Sequence, residues 1–216
     1  MKQRSTKKRT VGRPKKEDSS GRDLKVETLK VATELFSLRG YFATTVQQIA
    51  KAVGTSESLV LYHFKGKEDL YLSCLKAAES TAFELSYRVL TEPDSLADVL
   101  AKLKIVADDV LCFFEMHIHE ATMLVRELRN PALQEQCRDE NALKKLGDNI
   151  NTFLKKASKE GFLGNHVDPS WIGLSFFTTL ISVARDQDLM SCFITKNERR
   201  EAIAARLVQI VKVCGA

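Results

Sequence analysis

Four prolines, ten glycines and one tryptophan in 216 residues leave little in this sequence to interrupt helices. No stretch alternates apolar and polar residues between turn signals, which excludes a sheet protein built from half-buried strands. No apolar run approaches the ~20 residues that span a bilayer. The first residues are rich in Lys and Arg rather than forming the apolar segment of a secretion signal, so a cytoplasmic protein with no membrane contact is expected. Five cysteines (Cys74, Cys112, Cys137, Cys192 and Cys214) are scattered, with no CxxC pair. That spacing fits neither a zinc site nor a disulfide framework, and each thiol reads as a small core hydrophobe. A phosphate loop, an HExxH helix, a GxSxG elbow and a convergent carboxylate pair are also missing. An enzyme is therefore not expected, and neither is a cofactor.

What is present begins with charge. The net charge of +5 is concentrated at one end: residues 1–22 hold nine Lys/Arg against Glu17 and Asp18, while 23–216 hold 24 basic and 26 acidic residues. A cationic arm without apolar side chains does not pack, and its natural partner is a polyanion. Within it, Gly12-Arg13-Pro14 before Lys15-Lys16 resembles an AT-hook core, in which an extended arginine (Arg13 here) lies in the narrow minor groove of A·T-rich DNA.

Beyond the arm the sequence reads as about nine helices and an all-α fold. Leu29, Ala32, Leu35 and Phe36 recur at helical spacing up to Gly40. Val46, Ile49, Ala50 and Val53 mark a short second helix stopped by Gly54, and a third runs from Glu57 to His63. A longer helix is expected from Lys67 to Leu90. After the linker Thr91-Glu92-Pro93-Asp94, apolar stripes define helices through Leu96–Phe114, Ala121–Leu128, Leu143–Ala157, Pro169 to about 187, and Lys196–Val213. The helix from Pro169 is apolar over most of its circumference, a pattern that demands burial on several sides. The organisation expected is an arm over 1–22, a three-helix module over 23–75 and a larger helical bundle over 76–216.

The segment 44–64 holds the chemistry. Thr44 or Thr45 can cap the second helix, Gly54 permits a tight turn, and Ser56 can cap the third. Ile49, Ala50, Val53, Leu59 and Phe64 are the expected core positions. Thr55, Glu57, Ser58, Leu61, Tyr62 and His63 are then left to face outward. Two short helices joined this way form a helix-turn-helix over about 45–64, whose second helix enters the DNA major groove. Hydroxyl and phenolic groups there suit phosphates. Glu57 suits either a cytosine amine or simply the start of a helix.

The run Leu35-Phe36, Gly40-Tyr41, Thr44-Thr45-Val46, Ile49-Ala50, Val53-Gly54, Ser56, Leu61-Tyr62-His63-Phe64, Lys67-Glu68 and Leu70 resembles the TetR family of bacterial regulators. The resemblance covers about residues 24–75; beyond it only the helical plan matches. It implies that Thr45 and Tyr62 clamp the DNA backbone, that Lys67 adds a phosphate contact, and that Thr55, Ser56, Glu57, Ser58, Leu61 and His63 face the groove. With Thr44 and Arg13 these make up the expected DNA-binding set. Gly66 departs from the family pattern, standing where Ser or Asn often caps the fourth helix.

The resemblance further implies a repressor acting on a double-stranded operator, a cavity for a small hydrophobic or amphipathic effector, and a homodimer through about 169–187 and 196–214. Polar residues interrupting apolar helices (Asp108, Cys112, His117, Arg126, Ser175, Thr178, Thr179 and Arg185) could line such a cavity, with Phe153 and Phe177 as apolar walls. Each more often turns out to be a satisfied core residue or an exposed one. His117 and His119 lie two apart, roughly 200° around a helix, and cannot share one ion; no metal is expected.

Overall fold

A computed structural model describes residues 24–129, 141–164, 168–186 and 200–215. The basic arm with Arg13, and Cys137 and Cys192, lie outside the described residues. Among the described residues there are ten α-helices and no strand: α1 (Leu24–Arg39), α2 (Val46–Val53), α3 (Glu57–His63), α4 (Lys67–Thr81), α5 (Glu84–Val89), α6 (Leu96–Met116), α7 (Ile118–Arg129), α8 (Ala142–Lys159), α9 (Pro169–Arg185) and α10 (Arg200–Gly215).

Local signals set most boundaries. Ser95 Oγ accepts the Asp98 N–H at 3.1 Å to start α6. Asp168 accepts the Ser170 N–H at 2.8 Å ahead of Pro169, whose fixed φ suits the first helical position. Asn141 caps α8 through the Leu143 N–H while its own amide donates to the Leu124 carbonyl of α7 at 2.9 Å.

The expected helix 67–90 is in fact two. Phe83 adopts φ 59, a left-handed conformation that a bulky side chain rarely takes, and it separates α4 from α5. Tertiary packing holds it there. Its ring is 1% exposed and meets Phe113 edge-on at 5.0 Å. Asp109 Oδ2 accepts from both the Ser86 N–H at 2.9 Å and the Ser86 hydroxyl at 2.6 Å, which secures the first turn of α5. α9 is also not enclosed on all sides. Its inner face (Ile172, Phe176, Leu180 and Val183) is buried, whereas Trp171 is 64% and Leu174 49% exposed in the single chain.

The buried residues form two clusters. The larger lies in the bundle among α5 to α10 and the end of α4. The smaller belongs to α1–α4 and takes one residue from elsewhere, Met123 of α7, which is 1% exposed. Around Met123 the same helix is hydrogen-bonded to the N-terminal module. Arg126 Nη2 donates to the Ser37 carbonyl at 3.0 Å, His119 Nδ1 pairs with Ser37 Oγ at 2.9 Å, and the Tyr71 hydroxyl donates to Glu127 Oε2 at 2.7 Å. A cut at residue 75 would therefore strip the module of part of its own core.

Burial leaves a signature in titration. The Cys74 thiol is pushed up from 9.0 to about 12, chiefly by desolvation, and the Tyr87 phenol from 10.0 to about 12 for the same reason. Both groups are neutral in the fold below these values. Once pH passes the ordinary values, the unfolded chain ionises and the folded one does not, so stability falls. We predict urea midpoints that decline progressively between about pH 9 and 12, a decline made shallower by Cys74→Ala or Tyr87→Phe. A midpoint constant across that range would contradict the burial of both groups.

Candidate nucleic-acid interface

α2 is defined at its start by a reciprocal pair. Thr45 Oγ1 accepts the Gln48 N–H at 3.2 Å, and Gln48 Oε1 accepts the Thr45 N–H at 3.0 Å. It ends at Gly54 with φ 79, where the chain reverses and the Thr55 N–H donates to the Ala50 carbonyl at 2.9 Å. No atom would crowd a side chain at 54, so the backbone angle alone demands glycine there. Ser56 then caps α3 by accepting the Leu59 N–H at 3.2 Å.

α3 is anchored through Val60 (1% exposed) and Phe64 (2%), with Ile49, Ala50 and Val53 of α2 beneath. Leu59, the expected anchor, is only half-buried; Val60 takes its place because it stands one turn before Phe64 on the same face. The opposite face is open. Ser56, Glu57, Ser58 and His63 are exposed, with Leu61 at 43% and Tyr62 at 74%. Thr55 is half-buried at the turn, and the Tyr62 and His63 rings meet edge-on at 5.4 Å. Thr45 is exposed at the start of α2.

Thr44, from the expected DNA-binding set, sits differently from its neighbour Thr45. It is 0% exposed, and its hydroxyl lies in donor range of the Gly40 carbonyl at 2.9 Å and the Leu35 carbonyl at 3.3 Å. Its hydroxyl ties the 40–45 loop to the end of α1 and leaves no side-chain surface exposed. Gly40 there has φ 83 and lies beneath the Arg126 guanidinium, so the loop also touches α7.

Two features went unread in the sequence. Gln47, Gln48, Ala50 and Lys51 of α2 line an open groove with Thr55 and Glu57, so α2 adds to the face alongside α3. The α1–α2 loop also carries Phe42, 80% exposed, and Tyr41, over whose ring Lys67 Nζ stands at 4.3 Å. Spacing held a signal for the first, since 47 and 51 lie opposite Ile49 and Val53. For the second there was none.

The candidate effector residues do not converge. Asp108 accepts from Arg200 Nε at 2.8 Å on the α6–α10 surface, with Cys112 half-buried one turn on. His117 is exposed at the end of α6, and Arg126 is committed to the end of α1. Phe153 is in the bundle core, and Phe177 is half-buried against α8 near Gly147. Thr178 is exposed and donates to the Leu174 carbonyl at 2.7 Å. Arg185 is exposed and pairs with Asp186, which raises the guanidinium and lowers the carboxyl. Thr178, Arg185 and His117 face solvent and Arg126 faces α1, so none of these four lines a bundle interior in this conformation.

Residues 29–74 match the family described as bacterial regulatory proteins, tetR family. The transcriptional regulator QacR of Staphylococcus aureus is 47% identical over 58 residues, 27% of this chain and 31% of its own length. The regulator AcrR of Shigella flexneri is 28% identical over 121 residues, 56% of this chain and 51% of its own. The chain thus spans about half, or less, of the length of these curated relatives. Across the whole fold it is similar to the transcriptional regulator FadR from Bacillus subtilis, solved in complex with stearoyl-CoA. There the TM-score is 0.64 and the identity 20%, over 86% of this chain and 97% of the other.

The two neighbouring threonines should separate by experiment. Thr44→Val removes a buried hydroxyl and is expected to cost about 1 kcal/mol of stability while leaving the DNA affinity of the folded protein intact. Thr45→Ala is expected to cost about 1 kcal/mol and to weaken DNA binding as well. Urea denaturation paired with fluorescence anisotropy on labelled duplex reads both, and a DNA defect in folded Thr44→Val would overturn its assignment to the loop.

Proposed function

We propose that this chain belongs to the TetR family of bacterial transcriptional regulators, which its residues 29–74 match, binds a specific operator through α3 and represses transcription until a small effector releases it. The observation that carries this reading is the exposed face of α3. Ser56, Glu57, Ser58, Leu61, Tyr62 and His63 stand clear of the core on a helix pinned by Val60 and Phe64. A recognition helix must be rigid beneath and polar outside, because base-edge hydrogen bonds tolerate little misplacement. Thr45, Tyr62 and Lys67 flank that face and contact phosphates, which sets register.

Electrostatics assign a second part to the arm. The module 23–75 carries six basic and six acidic residues, so its own attraction to a polyanion is slight. The nine basic residues of 1–22 supply the counterion-releasing charges, with Arg13 in an A·T-rich minor groove beside the operator. The effector is hydrophobic or amphipathic and binds within the bundle; the acyl-CoA held by the FadR relative in the same fold supports that class. The protein acts in the cytoplasm as a homodimer through about 169–187 and 196–214. Trp171, Leu174 and Val213, 64%, 49% and 77% exposed in the single chain, are apolar surface that a partner copy would cover. Such a dimer presents two α3 helices to two half-sites. The reading has no catalytic step and no metal or cofactor.

Deleting residues 1–16 removes eight Lys/Arg. It should lower DNA affinity and flatten the plot of log affinity against log salt, by about 0.9 for each phosphate that the arm would otherwise neutralise. An unchanged affinity and slope would exclude the arm from DNA binding. Tyr62→Ala, at an exposed position, should abolish specific binding without moving the unfolding midpoint. Sedimentation equilibrium at micromolar concentration should give twice the chain mass, and a monomer there would exclude the dimer.

A further inference from the structure

The pose of Lys67 is unusual for the first residue of a helix. The first turn of α4 holds Glu68 and Asp69, which suit the positive end of the helix dipole, whereas a lysine does not. Gly66 offers no side-chain cap. Lys67 instead folds onto the neighbouring loop, with Nζ 4.3 Å from the centre of the Tyr41 ring. The pair is partly desolvated: burial lowers the Lys67 ammonium and raises the Tyr41 phenol, with Glu68 adding to the second effect.

The ring beneath the lysine is itself fixed. Tyr41 stacks on Phe36 at 6.3 Å and meets Tyr71 at 5.0 Å and Phe42 at 5.3 Å edge-on. Its backbone follows Gly40, whose carbonyl accepts from buried Thr44. Tyr71 in turn donates to Glu127 of α7. The platform under Lys67 is thus built into the N-terminal core and reaches the bundle.

We propose that Tyr41 is a positioning residue for DNA binding, its ring face holding the Lys67 ammonium in the pose from which it meets a backbone phosphate. The proposal rests on the reading of Lys67 as a phosphate contact. A lysine on a flexible four-carbon stem gives up much rotamer freedom when a phosphate captures it. One already seated on an aromatic face has given up part of that freedom in the free protein. The ring attracts the cation without consuming its N–H donors, so those facing away remain for phosphate oxygens. Tyr41 therefore acts on affinity through Lys67, with no DNA contact of its own.

A double-mutant cycle on one operator duplex tests this, using the full chain and affinities taken per folded molecule. Tyr41→Leu keeps bulk and loses the π face; it should weaken binding about two- to fivefold, and Tyr41→Phe should recover that loss. Lys67→Met keeps the stem and drops the charge, and it should weaken binding and reduce the salt slope by about 1. In the Lys67→Met background, Tyr41→Leu should cost nothing further. A Tyr41→Leu loss that persists in that background would overturn the proposal, since the ring would then act by packing or by touching DNA itself. So would a Tyr41→Phe variant as weak as Tyr41→Leu. Unchanged affinity and slope in Lys67→Met would overturn the phosphate contact itself, and with it the role of Tyr41.

Discussion

One helix, α7, belongs to both halves of this molecule, and the geometry of the rest follows from how it sits. Met123 leaves the bundle and is buried in the core of α1–α4. Three residues on, Arg126 reaches the last turn of α1 through the Ser37 carbonyl, and Glu127 takes the Tyr71 hydroxyl of α4. These attachments lie within two turns of one rigid element, so a displacement of α7 carries all of them together. A side chain packed at 1% exposure has no slack in which to absorb such a movement. The orientation of α2 and α3 relative to the bundle is thereby tied to α7. Two modules joined only by a linker would have no such tie. On the proposed function, in which an event in the bundle alters how α3 meets DNA, the seam is the physical connection between the two.

The proposed DNA face divides its work between shape and charge. Position comes from caps and core: Thr45 with Gln48, Ser56, Gly54, and Val60 with Phe64. The module's own six basic and six acidic residues cancel, so on the proposed function attraction falls mostly to the basic residues of 1–22. Each phosphate contact proposed for the module would therefore matter more than it would on a strongly basic surface. That is a reason for Lys67 to be held in place on Tyr41 rather than left free in solvent.

How far the sequence could be read tracks how local each determinant is. The helix-turn-helix was legible because its signals are short-range: a cap, a glycine in a left-handed turn, and apolar residues one turn apart. Even so, two adjacent threonines both suited the cap, and only the loop's packing assigned Thr45 to α2 and Thr44 to the end of α1. In the two turns of α3, Leu59 and Val60 are equally apolar; which one points inward depends on α2 beneath. The break at Phe83 carried no sequence sign, since neither Gly nor Pro marks it. The contacts around it come from α6, where Phe113 meets its ring and Asp109 holds Ser86 in the next turn. The candidate effector residues were the least legible. A polar side chain within an apolar helix is compatible with a cavity, a partner or solvent. Here Asp108 found Arg200 and Arg126 found Ser37, 92 and 89 residues distant.

The central claim is that the open face of α3 reads DNA sequence. Its most direct test is selection of bound fragments from a random double-stranded pool by the full chain, followed by hydroxyl-radical footprinting of the enriched duplex. A sequence-reading α3 predicts a shared motif, with two protected half-sites spaced by one helical turn or a multiple of it. Fragments with no common sequence, bound as tightly as unselected DNA, would contradict it.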